Sequence, residues 1–178
     1  MNPSGKLPVT FPKSEADLPQ VKLPAPPPQR LDIHYAEGLK VGYKWFDSEG
    51  KEPLFPFGFG LSYTSFAYSE LKVTVGPQIH VSFKVANTGP RAGAETAQVY
   101  AMLPTATGEP FKRLVAWEKV ELSPGESKTM TLAIDPVYMS VFNVDKDQWG
   151  LLPGQYTVLV GGSSRSTPLQ ETASIGGR

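Results

Sequence analysis

The sequence has no cysteine and only two histidines, His34 and His80. The first lack removes disulfide staples, thiolate metal sites and thiol nucleophiles from consideration, without fixing a compartment. The second leaves too few imidazoles for a dedicated metal centre, and no Asp-x-Asp-x-Asp-Gly loop replaces them. No metal and no cofactor are expected. An excess of one charge is also missing. Seventeen basic residues balance seventeen acidic ones, so the electrostatic footprint that a phosphate backbone requires is absent, and nucleic acid is not an expected partner. No apolar run approaches membrane-spanning length, and residues 1–10, interrupted by Pro3 and Pro8, lack the apolar core of a signal peptide. No membrane partner is expected either.

What the sequence does contain changes along its length. A chain of 178 residues is long enough for one domain with a real core and short for two. Eight of its 18 prolines fall in residues 1–30, among them Pro24, Pro26, Pro27 and Pro28. Proline fixes φ and removes a donor, so this stretch reads as an extended, polyproline-like arm. Residues 31–65 are instead aromatic and glycine-rich, with Tyr35, Tyr43, Trp45, Phe46, Phe55, Phe57, Phe59 and Tyr63 among Gly38, Gly42, Gly50, Gly58 and Gly60. Such a stretch turns often and carries much area to bury, so it reads as an irregular connecting segment that needs a surface to lie on.

From Phe66 onwards the period becomes two. Leu71, Val73 and Val75, then Ile79, Val81, Phe83 and Val85, alternate on either side of a Gly76-Pro77 turn, which predicts an antiparallel pair. Further strands are predicted over 97–103, 113–122, 128–134, 137–144, 155–161 and 169–175. Turn chemistry separates them at Asn87-Thr88-Gly89-Pro90, Ser123-Pro124-Gly125 and Pro153-Gly154. No sustained helical period competes. The expected fold is all-β, an immunoglobulin-like or fibronectin type III-like β-sandwich over 66–178, with the second favoured because the antibody cysteine pair is missing. Within it, Leu114-Val115-Ala116-Trp117 is apolar on both phases, so this strand is expected to be central, with a bulge before Val120 and with Trp117 as the core anchor.

Catalytic chemistry finds little support. Glycoside hydrolysis needs two carboxylates ~5 to 9.5 Å apart around a sugar pocket. The local acid pairs are Glu49 with Glu52, Glu118 with Glu121, and Asp145 with Asp147, all in turn-like or strand-surface contexts that read as solvated charge. His80 is the polar member of an alternating strand, and Ser62 in Gly-Leu-Ser-Tyr is not a nucleophile elbow, so no triad is expected. Neither Gly161-Gly162 nor Gly58-Phe59-Gly60 fits a phosphate loop. Catalytic residues are therefore expected to be none. The residues nominated for sugar binding are Trp45, Phe55, Phe57 and Phe59, with Trp149 as a further flat ring suited to stacking on a sugar face.

Tyr35-Ala36-Glu37-Gly38-Leu39-Lys40-Val41-Gly42-Tyr43-Lys44-Trp45-Phe46-Asp47, followed by Pro53-Leu54-Phe55-Pro56-Phe57-Gly58-Phe59-Gly60-Leu61-Ser62-Tyr63-Thr64, resembles the family 3 glycoside hydrolases. There this stretch joins the second domain of the catalytic region to a fibronectin type III-like domain. Residues 2–12 look like the last strand region of that second, α/β-sandwich domain, and Leu122-Ser123-Pro124-Gly125 and Pro153-Gly154-Gln155-Tyr156 look like turns of the family's sandwich. The resemblance implies a non-catalytic, domain-packing region of a β-glucosidase-like enzyme. That enzyme's nucleophilic aspartate and general acid would precede Met1, so this chain alone is not expected to be an enzyme. Its implied partners are the upstream catalytic domains and, as an alternative, an oligosaccharide. The resemblance also implies a parent of the periplasmic or secreted kind, on which the chain itself is silent.

Overall fold

The computed structural model describes residues 1–19, 33–109 and 111–176. Pro24, Pro26, Pro27 and Pro28, with the extended form expected of them, lie outside these residues.

Among the described residues, nine strands follow one another after a short helix: α1 (Tyr43–Ser48), β1 (Phe66–Val75), β2 (Ile79–Asn87), β3 (Gly93–Met102), β4 (Lys112–Leu122), β5 (Ser127–Ile134), β6 (Val141–Asn143), β7 (Gln148–Gly150), β8 (Gly154–Gly161) and β9 (Leu169–Ile175). They form a three-stranded sheet ordered β1-β2-β5, a four-stranded sheet ordered β4-β3-β8-β9, and a small β6-β7 hairpin. Every pairing is antiparallel. The protein is thus the expected fibronectin type III-like β-sandwich, with 45% of the described residues in strands and bridges.

The alternation seen in the sequence is what closes the sandwich. Ile79, Val81, Phe83 and Val85 of β2 are all turned fully inward, meeting Ala97, Val99, Val158 and Val160 from the opposite sheet. In β1 the register slips by one residue between Ser69 and Lys72, with Glu70 at φ 57°. This bulge gives the edge strand extra twist. One polar side chain sits inside the fold with all its bonding capacity engaged. Asn87, at the end of β2, donates to the Arg91 and Leu122 carbonyls at 2.7 and 3.0 Å and accepts from Thr64 Oγ1 and the Gly89 amide at 2.6 and 3.1 Å. The buried amide of Asn87 fixes the predicted Asn-Thr-Gly-Pro turn by its side chain.

Three expectations need correcting. Strand β4 is an edge strand of its sheet, not a central one, and Trp117 is 62% exposed. The reason lies in the bulge, which falls at Val115: Tyr100 pairs with Leu114 and Val99 with Ala116, leaving Val115 extra. Val115 turns inward at the slip and Val120 and Leu122 after it, while Trp117 in between faces outward. Second, the strand expected over 137–144 is replaced by a 3-10 turn, Pro136–Met139, and the three residues of β6. Asp135 accepts from the Val137 amide at 3.0 Å and Pro136 supplies the preset φ, so helix-start chemistry overrides the apolar alternation. Third, the connecting segment is not wholly irregular, since α1 forms within it.

Candidate functional site

The most elaborate arrangement outside the core is the seam where residues 1–19 and 33–64 lie on the sandwich. Two pieces of this segment pair with each other. The Leu7 amide donates to the Phe59 carbonyl and the Gly58 amide to the Leu7 carbonyl, each at 2.8 Å, and Phe11 bridges Phe55 antiparallel, with N–O distances of 2.8 to 3.3 Å. The resulting ribbon crosses β3 and the end of β8. There the Ser164 amide donates to the Phe57 carbonyl at 2.9 Å, and Gln98 Nε2 donates to the Gly162 carbonyl at 2.8 Å. Gly58 is required at the crossing: its φ is +80°, and a Cβ there would run into the Gln98 amide.

Ionic contacts hold the ribbon down at two points. At the first, Lys6 Nζ lies 3.0 Å from Glu95 Oε1 and donates to the Gly162 carbonyl at 3.1 Å, while Tyr68 OH donates to the same Glu95 oxygen at 2.8 Å. At the second, Asp47 on α1 is buried with its two carboxylate oxygens divided between Lys112 Nζ at 2.6 Å and Arg165 Nε at 3.0 Å. Arg165 also donates to the Lys51 carbonyl at 2.8 Å. The two cations come from separate parts of the sandwich, β4 and the loop after β8, so one buried carboxylate ties the helix to both. Aromatic contacts fill the space between. Tyr43 lies 5.2 Å from Phe57 and edge-on to Tyr100 at 5.8 Å, and its hydroxyl accepts from the Leu114 amide. Burial raises the Tyr43, Tyr68 and Tyr100 phenols above the usual tyrosine range, and for Tyr68 the neighbouring Glu95 carboxylate adds to it.

The four aromatics nominated from the sequence are all within this segment, but they do not form one flat row. Trp45 donates its indole N–H to the Asp17 carbonyl at 2.7 Å and carries Lys51 over its ring. Phe57 packs on Tyr43, and Phe55 is tilted against Phe59 at 5.0 Å and edge-on to Phe11 at 6.3 Å. The acid pairs Glu49/Glu52, Glu118/Glu121 and Asp145/Asp147 are exposed, as expected of solvated charge. The acids that matter structurally, Asp47 and Glu95, carry no such expectation from the sequence. Asp47 is legible there only as one more residue of the aromatic motif, and Glu95 falls in a run, Ala94-Glu95-Thr96, with no local apolar signal to mark it as inward.

The outer side of the segment is not covered. Tyr35, Leu39, Val41, Leu54, Leu61 and Tyr63 are exposed, Tyr35 by 72% and Leu61 by 71%. Six large apolar side chains between residues 35 and 63 thus face solvent.

The fibronectin type III-like domain family matches residues 95–164. Thermostable β-glucosidase B of Acetivibrio thermocellus is 40% identical over 98% of this chain, which corresponds to 24% of that protein. The solved structure of β-glucosidase 3B from Thermotoga neapolitana in complex with glucose superposes over 99% of this chain and 25% of its own, with a TM-score of 0.89 at 40% identity. The chain belongs to the family 3 glycoside hydrolases, as their carboxy-terminal part. A family 3 β-glucosidase from Bifidobacterium adolescentis matches equally well in shape, with a TM-score of 0.89 at 35% identity over 99% of this chain and 26% of that one. The family 3 chain thus spans about a quarter of the length of the relatives it matches. The matched quarter includes the whole amino-terminal seam as well as the sandwich.

Proposed function

We propose that this region is a non-catalytic accessory part of a family 3 β-glucosidase, and that its amino-terminal segment is the adhesive face by which the sandwich packs on the catalytic domains. The observation that carries the reading is the uncovered apolar side of residues 33–64, bonded to the sandwich on one side and facing water on the other. Apolar area of that kind gains roughly 25 cal/mol per Å² when a partner covers it. The enzyme so completed would hydrolyse terminal β-linked glucose or a related glycoside, in line with the names of the relatives.

Two measurements test this. Purified chain incubated with an aryl β-glucoside gives no turnover above background; turnover by the chain alone would overturn the non-catalytic reading. Added to a family 3 β-glucosidase from which the carboxy-terminal quarter has been removed, the chain co-elutes with it and raises its melting temperature. Failure to associate, with the sandwich shown to be folded, removes the adhesive role.

A further inference from the structure

A cleft of about 620 Å³ opens between the β6-β7 hairpin, the Pro136–Met139 turn and the start of α1. Its rim is aromatic. Trp149 is 58% and Tyr138 54% exposed, and Phe142 holds the indole edge-on at 5.6 Å. Its floor is charged. Glu109 has a side chain only 8% exposed, with Oε1 paired to Arg113 Nη2. The other oxygen, Oε2, accepts no hydrogen bond from the described residues, and Lys44 Nζ stands off from it at 3.9 Å. Arg113 is already committed, donating from Nη1 to the Ser140 and Tyr138 carbonyls at 2.7 and 3.2 Å.

A buried carboxylate oxygen without a donor is rare in folded proteins and calls for a reason. The chemistry of the cleft selects among occupants. An anion would meet the free Glu109 oxygen, and a cation would meet Lys44 and Arg113. A purely apolar group would leave Oε2 unbonded. A neutral sugar satisfies each element: its C–H face lies on flat rings, and its hydroxyls both donate to a carboxylate and accept from an ammonium. We infer that this cleft is a carbohydrate-binding site, taking one pyranose unit of a neutral glycan between Trp149 and Tyr138, with its hydroxyls on Glu109 Oε2 and Lys44. The cleft borders the seam and shares Leu39, Tyr43 and Lys44 with it, but its aromatic rim, Trp149 and Tyr138, lies outside the segment proposed to adhere, so sugar binding and adhesion can fail independently.

The test is a titration of the whole chain with cellotetraose, followed through the indole N–H resonances of its three tryptophans, Trp45, Trp117 and Trp149. The Trp149 signal is expected to shift saturably while the other two stay in place. By calorimetry, Trp149→Ala and Glu109→Gln should each weaken binding about tenfold or more, with the Trp45 and Trp117 signals reporting an intact fold. Should Glu109→Gln disturb those signals, Tyr138→Ala, on the exposed rim, serves as the second variant. A Trp149 resonance unmoved by saturating sugar, or undiminished binding in Trp149→Ala, would overturn the assignment.

Discussion

Phe83 and Phe55 are the same side chain in two regimes. Phe83 is fully buried between the sheets, whereas Phe55 is 39% exposed and touches mainly other rings of its own segment. The contrast extends to the regions they belong to. The sandwich is closed by a continuous set of inward-facing apolar residues from both sheets. In the segment before β1, Phe46 is the one large hydrophobic side chain fully withdrawn from water among the described residues, and the attachment is made by Asp47, Lys6, Glu95 and backbone hydrogen bonds. A region held by apolar burial is stable by itself, while one held by polar clips with its apolar side outward is suited to a second surface.

That difference can be broken by mutation. Phe83→Ala should cost about 3–5 kcal/mol in denaturant unfolding and loosen both regions, whereas Phe55→Ala should cost under about 1 kcal/mol; equal costs would erase the distinction. Asp47→Ala strands Lys112 in a buried position and should cost about 3 kcal/mol. Its effect is expected first in the amide exchange of residues 43–60, with β2 and β3 still protected.

Alkaline pH probes the seam without mutation. Tyr68 and Tyr100 hold their protons more tightly folded than unfolded, because burial disfavours the phenolate. Above the ordinary phenol value of about 10 the unfolded chain releases those protons and the folded one does not, so stability falls by about 1.4 kcal/mol per pH unit for each. Lys44, lowered chiefly by desolvation, acts in the opposite sense, adding stability as pH rises towards its unfolded value and nothing beyond it. Net loss of stability above pH about 10 is therefore expected, and Tyr68→Phe should reduce its slope. The smallest effect is at the exposed acids: Glu118→Gln should change stability by no more than about 0.5 kcal/mol.

The sandwich is legible in the sequence because strand burial writes itself locally. Ile79-His80-Val81-Ser82-Phe83 states its own face, and the limits of β9 come from alternation alone. Trp117 defeats that reading because one bulged residue, Val115, reverses the face of the residues after it, and no local pattern reveals which residue is extra. The seam is less legible still. Asp47, Lys112 and Arg165 are scattered across the sequence and become a unit only when α1, β4 and the loop after β8 meet. Glu109 likewise reads as an ordinary surface acid until folding buries it beside Arg113.

The most direct measurement is hydrogen–deuterium exchange across residues 33–64, for the chain alone and for the chain joined to the catalytic region of a family 3 β-glucosidase. Marked protection gained in this segment on joining, with β2, β3 and β8 equally protected in both, is the predicted result. Identical exchange in the two forms would contradict the account, since the apolar face would then have no surface to meet.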